Sequence, residues 1–270
     1  LENSGLSEFL SLIRVAHLEI APRPILFDDT GRFFGRPVLI YEYARGTMLA
    51  FSDQVMVQVA EIYSKLHTLD VSVEESFRTR DETLSGLMKD VKERFSIYEN
   101  RDDVSPQRAR CFRQYIEQTQ VHIAGKDLET CPMALIHADP TPSNFVVGPK
   151  VVLIDWQTPM IGDPAYDIWA FTSDAFTLWD SNTPPSSAQK ALFRDSYLAL
   201  REDKTFGERM FLKEPLYLLQ YGLHCAIRYR DYESGKIPPH LVAGRKANYE
   251  KYGQTRDFIL QRLREILVMD

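Results

Sequence analysis

Two short β-rich runs near the middle of the chain, at 145–147 and 151–154, constrain its fold more than any other stretch. A Gly-Pro pair lies between them, so the two runs predict a β-hairpin closed by a tight turn. Polar side chains occupy the two outer ends of this hairpin: Asp139, Asn144 and Asp155. Because a hairpin brings its outer ends together, these three side chains are expected to converge at one site.

A cluster of carboxylate and amide oxygens of this kind suits phosphoryl transfer to a hydroxyl group. The transferred group needs magnesium on its oxygens and a carboxylate that orients the attacking hydroxyl and accepts its proton. Asp139 stands two residues after His137 and five before Asn144, which is the H-x-D-x-x-x-x-N spacing of a kinase catalytic loop. Asp139 is therefore the predicted general base. Asn144 and Asp155 are the predicted ligands of Mg²⁺, which prefers hard oxygen donors.

Three linked motifs make the chain resemble the aminoglycoside phosphotransferase and choline kinase family, the small-molecule kinases of the protein-kinase-like fold. They are the sequences HAD at 137–139 with Asn144, IDW at 154–156, and GDP at 162–164 with Asp167. Only Ala138 departs from the family pattern, which usually has glycine at that position. Several motifs in the right order and spacing are far more specific than any one alone.

The resemblance implies an α+β, protein-kinase-like two-lobed fold that moves the γ-phosphate of ATP to a hydroxyl of a small molecule. It also implies supporting roles for three residues around the site: His137, Asp163 and Asp167. Asp163 precedes a proline and is the expected N-cap of the following helix. His137 and Asp167 would hold the catalytic loop without taking part in proton transfer.

The segment YEYARG at 41–46 resembles the hinge between the lobes in this family. Main-chain groups in this hinge would contact the adenine ring, and apolar side chains of the hairpin would complete the nucleotide site. The residues implied for nucleotide binding are Glu42, Tyr43, Val146 and Ile154. A strand that simply ends at Gly46 is the alternative, but the helix expected after Ser52 has the family's form and favours the hinge.

The beginning of the chain predicts an amphipathic helix that ends before Pro22, followed by two strands, one at 25–27 and one within 33–43. In the family a β-lobe with a glycine-rich loop and a phosphate-binding lysine precedes this helix. The chain is therefore expected to be truncated at its N-terminus, with residues 1–44 a remnant of the small lobe and 45–270 the mostly helical large lobe. Glu8 is the candidate partner of that lysine, with an exposed helix charge as the alternative.

The rest of the chain is mostly helical in pattern. Apolar periodicity and boundary residues predict further helices at 83–99, 106–124, 165–178, 188–201, 206–233 and 244–268. His67, near the end of the helix after Ser52, is predicted to be structural because a lone histidine beside an apolar stripe is more often a core residue than a catalyst. Side chains that could meet a cationic acceptor are Asp174, Asp180, Asp203, Asp231, Glu233, Trp156, Trp179, Tyr229 and Tyr232. They form no motif, so solvated charges and core aromatics are the favoured interpretation.

Composition limits the remaining possibilities. The net charge is −6 and no basic run stands out among the 270 residues, so nucleic acid is not an expected partner. The three cysteines, Cys111, Cys131 and Cys225, are odd in number and far apart, which favours free thiols in a reducing compartment. No apolar run approaches membrane-spanning length. The sequence therefore predicts a cytoplasmic protein, and it leaves the acceptor and the oligomeric state open.

Two other functional classes remain compatible with the sequence. An inactive pseudokinase that binds a partner would keep the fold, and a lysine on a strand upstream would argue for an enzyme instead. A metal-dependent hydrolase could also use clustered Asp and Asn, although two-metal sites usually draw on more carboxylates or histidines than these motifs supply.

Overall fold

The computed structural model describes residues 4–71, 77–128, 131–179, 184–238, 242 and 246–267. Three positions of the sequence predictions lie outside these residues, namely Asp180 and the two ends of the last helix, at Gly244 and Val268. The chain divides into two compact units: unit 1 contains residues 1–80 and 132–204, and unit 2 contains residues 81–131 and 205–270. The division into units rests on contacts between residues and does not define kinase lobes. The lobe boundary at residue 44 therefore stays a prediction.

The described strands are, in chain order, β1 (Pro24–Asp28), β2 (Val38–Tyr41), β3 (Thr47–Met48), β4 (Ala134–Ile136), β5 (Phe145–Val147), β6 (Val151–Leu153) and β7 (Met160–Gly162). They form three small antiparallel sheets, with β1 on β2, β4 on β7, and β5 between β3 and β6. The predicted hairpin is β5–β6, in which Phe145 faces Leu153. All seven strands lie in unit 1.

The described helices are, in chain order, α1 (Ser4–Val15), α2 (Asp53–Leu66), α3 (Leu84–Glu99), α4 (Pro106–His122), α5 (Ala165–Thr172), α6 (Asp174–Thr177), α7 (Ser187–Leu200), α8 (Phe206–Glu233) and α9 (Lys246–Leu267). Two short 3-10 turns occupy Ala16–Leu18 and Pro142–Asn144. Within the described ranges, none of the helices combines the length and the apolar composition that crossing a membrane requires.

Helix α2 forms where its capping residue and apolar stripe predict it. The Ser52 hydroxyl accepts a hydrogen bond from the backbone N–H of Val55 at 3.3 Å, which satisfies one of the free N–H groups of the first turn. Val59, Ile62 and Leu66 are buried on one face of the helix. In unit 1, helix α2 packs beside α7. In unit 2, α8 packs against α3 and α9.

Two predicted elements differ from the structure. The residues at 33–34 lie in a turn instead of a strand, because the chain leaves β1 through a local motif in which the Asp28 carboxylate accepts bonds from both the backbone and the hydroxyl of Thr30. The helix predicted at 165–178 is interrupted at Ser173, whose backbone is extended. The Thr172 hydroxyl donates to the Ile168 carbonyl in the preceding turn and so competes with continuation of the helix.

Candidate active site

The loop between β4 and β5 brings two predicted site residues together. The side-chain amide of Asn144 donates to the backbone carbonyl of Asp139 at 2.7 Å and to its carboxylate Oδ2 at 3.2 Å. Asn144 is buried in the 3-10 turn that leads into β5, and Asp139 is half-buried. The amide therefore fixes both the backbone and the side chain of the predicted base.

Asp155 lies at the other outer end of the hairpin. The preceding residue, Ile154, donates its backbone N–H to the carbonyl of Asn144 at 2.8 Å, so the hairpin ends are joined through the main chain as the sequence predicts. The side chain of Asp155 is exposed, and its backbone is left-handed, with φ of 63°. Aspartate tolerates this conformation better than most residues do.

Asp167, in the first turn of α5, supports the loop between β4 and β5. It is fully buried, and its two carboxylate oxygens accept the backbone N–H groups of His137 at 2.7 Å and Ala138 at 2.9 Å. These charge-assisted bonds fix two consecutive peptide groups directly before Asp139. Asp167 thus contacts the backbone directly before Asp139, and its supporting role in a working site stays a prediction.

Ala138 adopts a left-handed backbone, with φ of 67°. This conformation costs an L-residue with a Cβ atom roughly 1–2 kcal/mol, whereas glycine adopts it freely. The backbone therefore explains why glycine is usual at this position of the motif. In this chain, an alanine holds this conformation, and the Asp167 carboxylate accepts the N–H groups of His137 and Ala138 beside it.

His67 is a buried support for Asp167, 3% exposed at the end of α2. Its Nε2 lies 3.4 Å from Asp167 Oδ2, and its Nδ1 lies 2.9 Å from the Tyr197 hydroxyl. Burial lowers the pKa of His67, so the imidazole is neutral. Because a carboxylate can only accept, the neutral ring donates from Nε2 and accepts the Tyr197 O–H at Nδ1. Sequence analysis missed Tyr197 because it comes from α7 and carries no motif.

His137 ties the loop to the hairpin. The side chain is buried, its Nε2 lies 3.0 Å from the carbonyl of Ile154, and its ring packs edge-on against Trp156. Trp156 is itself fully buried, and its indole N–H donates to the carbonyl of Leu153. Trp156 is therefore a core aromatic, which agrees with the favoured interpretation from the sequence.

Asp163 lies one residue before the N-cap of α5, the position that was predicted for it. Pro164 is the N-cap of α5, but the buried Asp163 carboxylate accepts the backbone N–H of Ala165 at 2.9 Å. The carboxylate still satisfies a free N–H group of the first turn. This hydrogen bond is consistent with the structural role predicted for Asp163.

The segment predicted as a hinge packs closely on the hairpin. A Cβ atom at Gly46 would lie 2.4 Å from the carbonyl oxygen of Val147, and one at Gly148 would lie 2.2 Å from the carbonyl oxygen of Arg45. Both distances are far below van der Waals contact, so only glycine fits at 46 and 148. The two backbone segments therefore touch without any side chain between them.

The four residues implied for nucleotide binding have different environments. Glu42 is exposed and engaged with Arg23, whose carbonyl accepts the Glu42 backbone N–H at 2.9 Å and whose guanidinium donates to the Glu42 carboxylate. Tyr43 is 83% exposed. Val146 is half-buried in β5, between Met48 of β3 and Val152 of β6, and Ile154 is half-buried directly before Asp155.

Glu8 of α1 lies close enough to Asp155 for their charges to interact. Burial raises the pKa of the Glu8 carboxyl, and the negative charge of Asp155 raises it further. The same two carboxylates, together with burial, raise the pKa of Tyr41. Tyr41 is the first residue of the segment predicted as a hinge. Burial is the larger influence on its pKa, and the negative charges of Glu8 and Asp155 add to it.

The sequence profile of the phosphotransferase enzyme family matches residues 6–205 of this chain. The chain therefore belongs to that family. This confirms the resemblance drawn from the three motifs. All of the site residues described above fall within the matched range. No curated protein sequence is significantly similar to the chain.

Solved structures confirm the protein-kinase-like fold. Choline kinase from Cryptosporidium parvum Iowa II superimposes with a TM-score of 0.64 at 16% identity, over 96% of this chain and 78% of that chain. A choline/ethanolamine kinase family protein from Mesorhizobium loti gives 0.63 at 15% identity, over 98% and 79%. Spectinomycin phosphotransferase, solved in complex with ADP and spectinomycin, gives 0.62 at 14% identity, over 97% and 82%.

Proposed function

We propose that this protein transfers the γ-phosphate of ATP to a hydroxyl group of a small molecule, with Asp139 as the base. The observation that carries the proposal is the double hydrogen bond from Asn144 to Asp139, on a loop whose backbone is held by Asp167. A base must be held in position before it can orient a hydroxyl, and these contacts hold Asp139 in place.

In the proposed reaction, the Asp139 carboxylate accepts a hydrogen bond from the acceptor hydroxyl and takes its proton as the hydroxyl oxygen bonds to the γ-phosphorus. The bond from that phosphorus to the β–γ bridging oxygen breaks, and ADP leaves. The carbonyl of Glu42 and the main chain of Tyr43 would contact adenine, because the Glu42 N–H is already used by Arg23. Val146 and Ile154 would give the nucleotide an apolar surface. The similar structures include a choline kinase and a spectinomycin phosphotransferase with bound ADP, which supports a nucleotide donor and an amino-alcohol or aminoglycoside acceptor.

Magnesium is the metal that this donor set would hold. Asn144 and Asp155 offer an amide oxygen and an exposed carboxylate, which are hard ligands of the kind Mg²⁺ prefers when phosphates supply the rest. Burial is the main cause of the raised pKa of the nearby Glu8 carboxyl, and the negative charge of Asp155 adds to it, so a cation at Asp155 would also lower this repulsion. Bound magnesium would neutralise charge on the phosphate oxygens during transfer.

Calorimetry with Mg-ATP and Mg-GTP, followed by turnover assays on choline, ethanolamine, aminoglycosides and sugars, tests the proposal. Asp139→Asn keeps the side-chain volume and should reduce kcat by about 10²–10⁴-fold while nucleotide binding persists. Asp155→Asn should remove the magnesium dependence of nucleotide binding. Asp195→Asn is the matched control, because Asp195 is an exposed carboxylate of α7 in the same unit.

The outcomes separate the alternatives. Normal turnover by Asp139→Asn would show that another residue is the base. Failure of both nucleotides to bind, with this chain and with the upstream coding sequence included, would favour the pseudokinase alternative. Phosphate release that needs no acceptor would favour hydrolysis.

A further inference from the structure

Tyr197 of α7 lies two side chains away from the backbone of the loop that carries Asp139. Its hydroxyl lies 2.9 Å from Nδ1 of His67, and Nε2 of the same imidazole lies 3.4 Å from Oδ2 of Asp167. That carboxylate accepts the backbone N–H groups of the two residues directly before Asp139. A continuous row of hydrogen bonds therefore joins α7 to the loop of the proposed base, and all of its members belong to unit 1.

The row has a fixed direction. Burial raises the pKa of the Tyr197 hydroxyl, which therefore keeps its proton and is a donor. Burial lowers the pKa of His67, so the imidazole is neutral and accepts at Nδ1. The ring proton is then at Nε2 and points to the Asp167 carboxylate, which can only accept. Each group thus has the hydrogen-bonding role that its neighbour requires.

The bond from Tyr197 is the shorter of the two that hold the imidazole. Its length of 2.9 Å is that of a normal hydrogen bond, whereas 3.4 Å between His67 and Asp167 is long. Tyr197 is 2% exposed and His67 is 3% exposed, so the contact between them lies away from solvent. The hydroxyl is therefore the stronger anchor for the orientation in which Nε2 meets the carboxylate.

Helix α7 is a firm support for this hydroxyl. The helix begins with a capping box, in which the side chains of Ser186 and Gln189 each accept the backbone N–H of the other residue. Phe193, one turn before Tyr197, is fully buried, and α7 packs beside α2, the helix that ends at His67. Helix capping and core packing therefore hold the Tyr197 hydroxyl in place.

From these contacts we infer that Tyr197 is a positioning residue for Asp139, the proposed base. It acts through His67 and Asp167, which link its hydroxyl to the backbone of the loop. The inference rests on the proposed function, because positioning has a kinetic effect only if Asp139 is the base. A small displacement of a base lowers the rate of the chemical step more than it lowers substrate binding. Loss of the hydroxyl should therefore reduce kcat and leave nucleotide affinity almost unchanged.

Steady-state kinetics and Mg-ATP calorimetry on the whole chain test the inference, with whichever of choline, ethanolamine, aminoglycosides and sugars wild type phosphorylates. Tyr197→Phe removes only the hydroxyl, and we expect kcat to fall about tenfold while the Kd for Mg-ATP changes by less than about twofold. Tyr217→Phe is a control matched for stability, because it removes a buried hydroxyl that donates to Glu82 at 3.0 Å in unit 2. This control should lower Tm by a similar amount and leave kcat at the wild-type value.

A double-mutant cycle tests whether the effect passes through Asp167. Asp167→Asn already disturbs the acceptor of the two loop N–H groups, so adding Tyr197→Phe should lower kcat little further. Full additivity of the two losses would show that Tyr197 acts by another route. A kcat of Tyr197→Phe equal to that of Tyr217→Phe would overturn the inference.

Amide hydrogen exchange separates this inference from the proposed function. The N–H groups of His137 and Ala138 should exchange about tenfold faster in Tyr197→Phe than in Tyr217→Phe, whether or not any acceptor is phosphorylated. Faster exchange without turnover in wild type would reject the proposed reaction and support the link from Tyr197 to the loop. Equal exchange in the two variants would overturn the inference, even in an active enzyme.

Discussion

Asp167 and Glu82 are both buried carboxylates, yet their surroundings give them different tasks. Asp167, in unit 1, accepts two backbone N–H groups and faces a neutral imidazole. Glu82, in unit 2, meets the buried ammonium group of Lys213 at 3.3 Å and the hydroxyl of Tyr217 at 3.0 Å. The first carboxylate fixes the shape of a loop, and the second joins the start of α3 to α8. Similar chemistry thus positions a proposed base in one unit and holds helices together in the other.

The largest effect on stability should come from breaking the pair in unit 2. Lys213→Met leaves the Glu82 charge buried without its ammonium partner, which should cost about 3–5 kcal/mol in the free energy of urea unfolding. Adding Glu82→Gln should recover most of the loss, since the buried carboxylate charge is then gone. Lys89→Met removes an exposed pair with Glu93 on α3 and should change stability by less than about 1 kcal/mol. Equal effects of Lys213→Met and Lys89→Met would mean that burial does not distinguish the two pairs.

The next largest effect should come from Asp167 and should appear in turnover. Asp167→Asn presents an N–H₂ group to one of the two backbone N–H groups, so His137 and Ala138 lose one of their fixed acceptors. We expect kcat to fall about 100-fold, equivalent to ~2.7 kcal/mol, with a much smaller change in nucleotide affinity. Steady-state kinetics together with calorimetry measure both quantities. A loss confined to nucleotide affinity would contradict a role in positioning Asp139.

A smaller effect is expected at Tyr197. Tyr197→Phe removes the donor to His67 Nδ1 and leaves a buried acceptor unsatisfied, which should cost roughly 1–2 kcal/mol in stability. Tyr63→Phe is a matched control, since Tyr63 is buried against His67 and its hydroxyl has no partner among the described residues. Thermal unfolding of the two variants should therefore differ, with Tyr63→Phe at or above the wild-type Tm. Equal losses would show that the Tyr197 hydroxyl does not support the imidazole.

The smallest effect should come from Ala138→Gly. Glycine removes the left-handed strain but gains conformational freedom in the unfolded chain, so the two terms oppose each other. The net change in stability should stay within about 1 kcal/mol, with kcat near that of wild type. Ala138→Val, whose β-branched side chain suits this backbone poorly, should be clearly destabilised. A large gain in stability from glycine would mean that the left-handed strain at Ala138 exceeds the entropic cost of glycine.

The sequence is most informative where local pattern decides structure. The hairpin at β5–β6, the cap at Ser52 and the meeting of Asp139 with Asn144 all follow from residues close together in the chain. The three motifs in series are also specific enough to indicate the family from the amino-acid order alone. These features lie within short spans, so neighbouring residues are enough to predict them.

Features set by distant residues are not predictable in this way. Tyr197 meets His67 across 130 residues, and no local pattern announces the contact. In unit 2, Lys213 meets Glu82 across 131 residues, and each looks like an ordinary charged residue in its own part of the sequence. The break at Ser173 depends on a side-chain bond within an otherwise apolar helix, which periodicity does not detect.

The glycines at 46 and 148 have a mechanical consequence. Where side chains separate two segments, rotamer changes can absorb a displacement, but here one backbone rests directly on the other. If the segment at 41–46 binds a nucleotide as proposed, a shift of this segment would carry the β5–β6 turn with it, because the two backbones are in direct contact. Residues 41–46 and the hairpin that ends at Asp155 would then respond to a bound nucleotide as one body.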